Sequence, residues 1–550
     1  MAERSMVLIA EKPNRTIWGG IFMIAKLIAI VALAIAANTM AQADEPNHGG
    51  ILHIYHRETP PSLSIHEEAT FSVNVPAMGV FNNLVIYDQH KPQNSMGDIV
   101  PELATSWAWD SANTTLTFKL REGVTWHDGK PFTAKDVKCT FDLLQDKAQD
   151  KFRKNPRRDL FNNISEVTTN GDFEVALHLK RPQPSLLAMI ASGYTPMYPC
   201  HVTPAQMRTH PIGTGPYKFV EFKQNESIKL ARNENYWKKG LPYLDGIEFT
   251  IISNRATAVL AFVAGKVDMT FPTEMTPALI QDIKKQDSTA ICEIRPINVS
   301  TNLIVNRENP PFDNIELRKA MALALDRKAF IDIIFQGQAD AGGTLLPPPE
   351  GVWGMPPEML RTVSGYGDVN KDREQGRAIM AKLGYGPNNP LRIKVSTRNL
   401  ATYRDPAVVL IDQLKSIYIE GELDPVESSQ WFAKIARNDY SVGLNLTGNG
   451  IDDPDQAFYE NYACGSERNY THYCNKELEA LFDKQSVETD VEKRKKMVWD
   501  IDKKLQEDVA RPILLHARSG TCWKPYVKNM TIMNNSAYNG YRYEDIWLSK

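Results

Sequence analysis

Apolar positions along this chain repeat with two different periods, and segments of the two kinds interleave. Strand-like runs occur at ILHIYH (51–56), TLTFKL (115–120), VALHLK (175–180), GIEFTII (246–252), LRIKVST (391–397) and SVGLNL (441–446), each short enough for a half-buried strand. Helical spacing marks TAVLAFVAG (257–265), PALIQDIKK (277–285) and DPAVVLIDQLKSI (405–417). It also marks the segment from Ile315, where Leu317, Ala320, Met321, Ala324 and Leu325 recur and Asp326-Arg327 close the face. INVSTNLIVN (297–306) reads as extended, and ARPILLHAR (510–518) as a strand-like return. This interleaving predicts an α/β protein. The first strand-like run leads into ETPPSLSIHEEATF (58–71), a proline-bearing loop at the carboxyl edge of the sheet, where ligands of α/β lobes bind.

The block Trp107 to Val137 carries the densest local information. Thr115, Thr117 and Lys119 alternate with Leu116, Phe118 and Leu120, and Gly123 breaks the run. Trp126-His127 lead into Asp128-Gly129, a hairpin-turn dipeptide, and Lys130-Pro131 resume an extended path. A helix follows. Thr133 is its N-cap, Asp136 completes a capping-box spacing, and Val137, Phe141 and Leu144 form the apolar stripe.

The wording of this block, WAWDSANTTLTFKLREGVTWHDGKPFTAKDV, resembles the hallmark segment of the family-5 extracellular solute-binding proteins. Similar segments follow in family order: GTGPYKF (213–219), RNENYW (232–237), YLDGIEF (243–249), GKVD (265–268) and NPPFDNIELRKAMALALDR (309–327). The resemblance implies a two-lobed periplasmic-binding-protein fold of type II, in the large cluster with an extra inserted domain. Lobe I would comprise 44–77, 211–301 and 519–550, the inserted domain 78–210, and lobe II 302–518. Two crossover strands, near Val299 to Asn302 and near Ala517 to Thr521, would form the hinge. The implied function is capture of a peptide-like solute between the lobes and its delivery to the permease subunits of an ABC importer at the inner membrane. The same fold could instead hold an opine or other plant-derived compound, a metal chelate or haem, or serve a sensory partner.

The N-terminus and the composition refine that expectation. Arg4, Lys12, Arg15 and Lys26 precede or interrupt a short apolar run, Leu27 to Ala37, and Ala41-Gln42-Ala43 is a small-residue cleavage site before Asp44. Residues 1–43 are therefore read as a cleaved signal peptide, with Met23 as an alternative start, directing the chain to a Gram-negative periplasm. No cysteine lies near the cleavage site to carry a lipid anchor. The net charge of −3 points away from nucleic acid. A monomer without cofactor is expected. The six cysteines, 139, 200, 292, 464, 474 and 522, suit an oxidising compartment. Cys464 and Cys474 flank the turn-prone GSERNYTHY, and dipeptide-binding relatives carry a similar local bridge. The other four allow three pairings.

For the ligand, Arg398 is the first candidate. It sits just past LRIKVST, at a strand end facing the expected cleft, where its guanidinium fork suits a carboxylate. Its place resembles that of the carboxylate-binding arginine of dipeptide-binding relatives; the competing reading pairs it with Asp405. Relatives hold the ligand amine with an aspartate in a W-x-x-D-like loop. In LNLTGNGIDDPDQAFYENY, Leu446 stands where tryptophan is expected and Asn449 falls nearest the aspartate, with Asp452 or Asp453 as substitutes. The first loop offers His66, Glu67, Glu68, Thr70 and Phe71, and Tyr403, Trp431 and Tyr459 are candidates for side-chain pockets. Catalytic signatures such as G-x-S-x-G, H-E-x-x-H and the phosphate-cradling G-x-x-x-x-G-K-[ST] are missing from the sequence. His127 beside Asp128 belongs to the turn of the hallmark block and is read as structural. The eleven histidines form no cluster suited to a metal, and no C-x-x-C pair occurs. The chain is accordingly expected to bind a solute and not to transform it.

Overall fold

A computed structural model describes residues 45–68 and 70–550. The expected signal peptide lies outside the described residues. Three sheets of four or more strands organise the rest, beside two two-stranded ones, and each of the three grows from a run legible in the sequence. The first has the spatial order Ile51–His56, Gly246–Ile251, Ser227–Arg232, Tyr217–Lys223. Its first pair is parallel and the others antiparallel. A second, antiparallel sheet carries the hallmark block, in the order Ala104–Trp109, Thr115–Leu120, Glu174–Leu179, Ile164–Thr169. Leu116, Phe118 and Leu120 are buried, as their alternation requires. The turn at Asp128-Gly129 has φ +86° at the glycine, between the bridged residues Thr125 and Pro131. Helix Ala134–Leu144 starts at the anticipated capping box, with the Thr133 N–H donating to Asp136 Oδ2 at 2.9 Å.

The third sheet has six strands, in the order Ala339–Asp340, Ile513–Trp523, Ile291–Val305, Val442–Gly448, Leu391–Arg398, Ile419–Val426. Its two longest strands, Ile291–Val305 and Ile513–Trp523, form an antiparallel ribbon. At one end the ribbon reaches the first sheet, through Met269, which bridges both Ile54 and Trp523. At the other end Val299 to Val305 pair with 442–448 inside the six-stranded sheet. Between these ends the register slips from Pro296 to Ser300. Proline has no N–H to give the ladder, and Asn298 adopts φ +49°, so the ribbon is irregular where the sequence suggested a crossover.

Two local expectations are corrected. The helix expected to close at Asp326-Arg327 ends at Leu323, and Asp326 caps a second helix, Arg327–Phe335, by accepting from the Ala329 N–H at 2.9 Å. Arg318 and Arg327 are buried and donate to main-chain carbonyls: Arg318 to Phe312 and Asp313, Arg327 to Ile513 and Gly365. The helix expected from Asp405 begins at Ala401, one turn earlier, and contains Pro406 in its second turn, where one i→i−4 bond is lost.

All six cysteines are bridged. Cys464–Cys474 closes its short loop as expected, with a Cα–Cα distance of 4.7 Å. Of the three open pairings for the others, the structure has Cys139–Cys200 and Cys292–Cys522. The latter joins directly opposed residues of the long ribbon, on the first-sheet side of the irregularity. Among the described residues no helix is long and apolar enough to cross a membrane.

Candidate ligand-binding site

The carboxyl end of strand Ile51–His56 in the first sheet and that of Leu391–Arg398 in the six-stranded sheet face a common cavity. The first contributes Arg57, Thr70 and Phe71, the second Arg398, Tyr403 and Trp431, and the ribbon adds Val299 and Thr301. Its volume is about 70 Å3. A second, adjoining cavity of about 620 Å3 shares Phe432, Arg468 and Tyr470 with the first.

Arg398 is 3% exposed and fully engaged. Its Nη2 donates to both Glu58 carboxylate oxygens at 2.6 and 2.8 Å, its Nη1 to the Tyr403 hydroxyl at 2.8 Å and its Nε to Ser428 Oγ at 3.0 Å. Burial alone would raise the Glu58 carboxyl, but Arg398 and then Arg57, helped by the Ser428 and Ser72 hydroxyls, hold it at about 2. The competing reading of Arg398 is corrected, because Asp405 pairs with Arg255, at 2.7 Å. Both ion pairs join an element following a first-sheet strand to one following the strand Leu391–Arg398. A third, Arg57 with Glu274 at 3.1 Å, stays within the first-sheet side of the wall.

The other candidates divide. Thr70 lines the cavity, and its hydroxyl caps helix Phe71–Ala77. Tyr403 and Trp431 line it too, and the buried Trp431 Nε1–H has no hydrogen-bond partner among the described residues. Asn449 is buried just behind the wall formed by Leu446 and Gly448. Its N–H donates to the Asn298 carbonyl at 3.0 Å, and its Oδ1 has no partner among the described residues. Asp452 lies away from the cavity: Oδ2 accepts from the Val352 N–H at 2.9 Å, and burial, then the neighbouring Asp453 charge, push it up to about 7. Asp453 caps helix Pro454–Asn461 and receives Arg494 at 2.8 and 2.9 Å. His66, Glu67 and Glu68 are buried and bond Pro196, Arg208 and Arg153, and Glu67 and Glu68 line the adjoining cavity. Tyr459 bonds Asp483 at 2.7 Å. His127 bonds the Gly215 carbonyl, and burial lowers it to about 4, consistent with a structural role.

Several wall residues escaped the sequence reading: Glu58 as the partner of Arg398, and Arg255, Glu274, Arg468 and Tyr538. Arg468 and Tyr470 stand inside GSERNYTHY, the loop the sequence singled out for its disulfide. Among the described residues no group of His, Cys, Asp and Glu could hold a metal ion.

A mixed α/β framework with a cavity where two sheets present their strand ends defines a two-lobed solute-binding protein. The chain belongs to the bacterial extracellular solute-binding proteins, family 5, whose middle region matches residues 98–469. It is 23% identical over 519 residues to a probable di/tripeptide-binding protein 5 of Pseudomonas aeruginosa, covering 89% of this chain and 94% of that one. It is 28% identical over 342 residues to heme-binding protein A of Haemophilus influenzae, 58% of each chain. The fold matches a Helicobacter pylori periplasmic binding protein, DppA, solved with the peptide STSA, at TM-score 0.80 and 20% identity over 92% of this chain and 99% of that one. Members of this family are extracellular solute-binding proteins, and the Helicobacter pylori protein is a periplasmic one.

Proposed function

We propose that this chain captures a small peptide-like solute between two lobes and hands it to an ABC permease, without chemistry on the solute. The cavity carries the reading: its walls come from two sheets that one irregular ribbon joins, and its charged groups reach across from one wall to the other. On this reading the lobes have the boundaries expected from the sequence, and the ribbon bends at Pro296 to Ser300. Closure is a population shift, since a solute touches both walls only when they meet. The protein acts as a monomer in the periplasm, after removal of residues 1–43 and without a lipid anchor. Arg398, with Tyr403, Trp431 and Thr70, lines the path of the solute.

A thermal-shift screen of dipeptides, tripeptides, opine-like compounds and haem tests this, because a ligand of the native state raises its melting temperature. Peptides should shift it in a saturable way. A shift with haem or opines alone would move the assignment to a non-peptide solute, and Edman sequencing of the exported protein checks the cleavage after Ala43.

A further inference from the structure

At the Arg468 end of the cavity the charges do not balance. Arg157, Arg468 and Arg511 are all at least 95% buried. One carboxylate, Glu460, faces them; it pairs with Arg468 and also accepts from Gln456. Arg511 donates to three neutral oxygens, Thr447 Oγ1, Asn461 Oδ1 and the Arg468 carbonyl. Arg157 donates to the Ile65 carbonyl and lies over the Tyr194 ring at 3.6 Å. Glu460 is the one direct ion-pair partner given to the three guanidiniums, so Arg157 and Arg511 are buried with neutral acceptors only, a costly arrangement unless an anion enters. Burial accordingly pushes the pKa of both Arg157 and Arg511 down.

The unsatisfied hydrogen bonds point the same way. Among the described residues, the buried polar atoms that lack a partner and belong to the cavity wall are Trp431 Nε1 and Arg468 Nε, and both are donors. Behind the wall the unpartnered atoms are of both kinds: Arg157 Nε and Nη2 and Arg511 Nε are donors, and Asn302 Oδ1 and Asn449 Oδ1 are acceptors. The guanidinium of Arg398 offers no comparable opening, since Glu58, Tyr403 and Ser428 occupy it. Arg468 also stands where the small cavity meets the larger one, so a group held there could belong to a solute extending into either.

We infer that the Arg468 and Trp431 end of the cavity is an anion subsite that receives a carboxylate or phosphoryl group of the solute, and that Arg398 serves closure by pairing with Glu58. The inference rests on the capture reading above and adds the charge of what is captured.

Calorimetric titration of the full mature chain with three probes tests it: N-acetyl-dialanine, an anion without an ammonium; dialanine, a zwitterion; and dialanine amide, a cation. The N-acetyl anion should bind at least as tightly as dialanine, and the amide about tenfold or more weaker. Trp431→Phe keeps the ring and deletes the donor, and Arg468→Lys keeps the charge and deletes the fork. Each should shrink the acid-to-amide preference by about tenfold. An amide that binds as well as the acid, or a preference untouched in both variants, overturns the subsite while leaving peptide capture standing. If no dialanine derivative binds, thermal shifts with succinate and inorganic phosphate decide. A stabilisation present in wild type and reduced in Trp431→Phe keeps the anion subsite, no stabilisation overturns it, and peptide capture is decided by the separate thermal-shift screen.

Discussion

Glu58→Gln is the most direct probe of how the two walls are held together. Glu58 is 5% exposed and follows a first-sheet strand; its partner Arg398 ends a strand of the six-stranded sheet. The carboxyl sits at about 2 against an ordinary 4.5, so its surroundings favour the charged form by about 3 kcal/mol. The glutamine removes that charge and leaves the Arg398 guanidinium buried beside a neutral amide, a loss of about 3–5 kcal/mol when one partner of a buried pair is deleted. Opening returns Arg398 to water, so the loss should appear first as a shift of about a hundredfold to a few thousandfold toward the open form and only secondarily as unfolding. Small-angle scattering of the ligand-free protein at pH 7 should report a larger radius of gyration for the variant. The sign of the pH dependence follows from a depressed carboxyl: the stabilisation is complete above about 4.5 and fades as pH falls toward 2. The difference between wild type and variant should therefore narrow in acid. Equal radii and equal melting temperatures at pH 7 would refute the idea that this pair holds the cavity shut.

Three other outcomes are expected. Asp452 is raised to about 7, so its contribution to stability is complete below about 3.8 and lost as pH rises through 7; Asp452→Asn should melt higher than wild type by about 2 °C at pH 8 and equally near pH 4, and a constant offset would contradict the assignment. Replacing Cys292 and Cys522, 230 residues apart, by serine should lower stability by about 2–5 kcal/mol in denaturant titrations, whereas an unchanged midpoint would show that the ribbon does not need its bridge. A Cβ on Gly448 would meet the Tyr538 hydroxyl; Gly448→Ala should cost about 1–3 kcal/mol, and a double-mutant cycle with Tyr538→Phe should recover part of it, additivity being the contrary result.

What could be read in the sequence was local. The alternation at 115–120, the capping box at Thr133 and Asp136, the short loop between Cys464 and Cys474 and the extended stretch at 297–306 each leave a local pattern of residue types in one segment, and all are present. The position of Arg398 at a strand end was also legible, because the strand pattern itself ends there. Its partner was not: Glu58 is 340 residues away, and a contact across a cavity leaves no periodic trace in either segment. The same applies to Arg255 with Asp405, and to Arg157, Arg468 and Arg511, whose shared burial comes from three unrelated segments. Asp452 shows the opposite failure. Its neighbourhood in sequence suggested an amine anchor, but its side chain accepts from the Val352 N–H, 100 residues away in the chain.

The Cys292–Cys522 bridge limits which movements the ribbon allows. It rivets the two strands together on one side of the slip between Pro296 and Ser300, and ladder pairing with 442–448 stiffens the other side. Neither end can fray or slide, so angular change is confined to a few residues and the lobes would travel along one narrow arc. A pivot of that kind makes aperture a single coordinate. Any surface patches split between the lobes then come into alignment at one angle only, which is how a membrane partner could distinguish a filled receptor from an empty one without touching the solute.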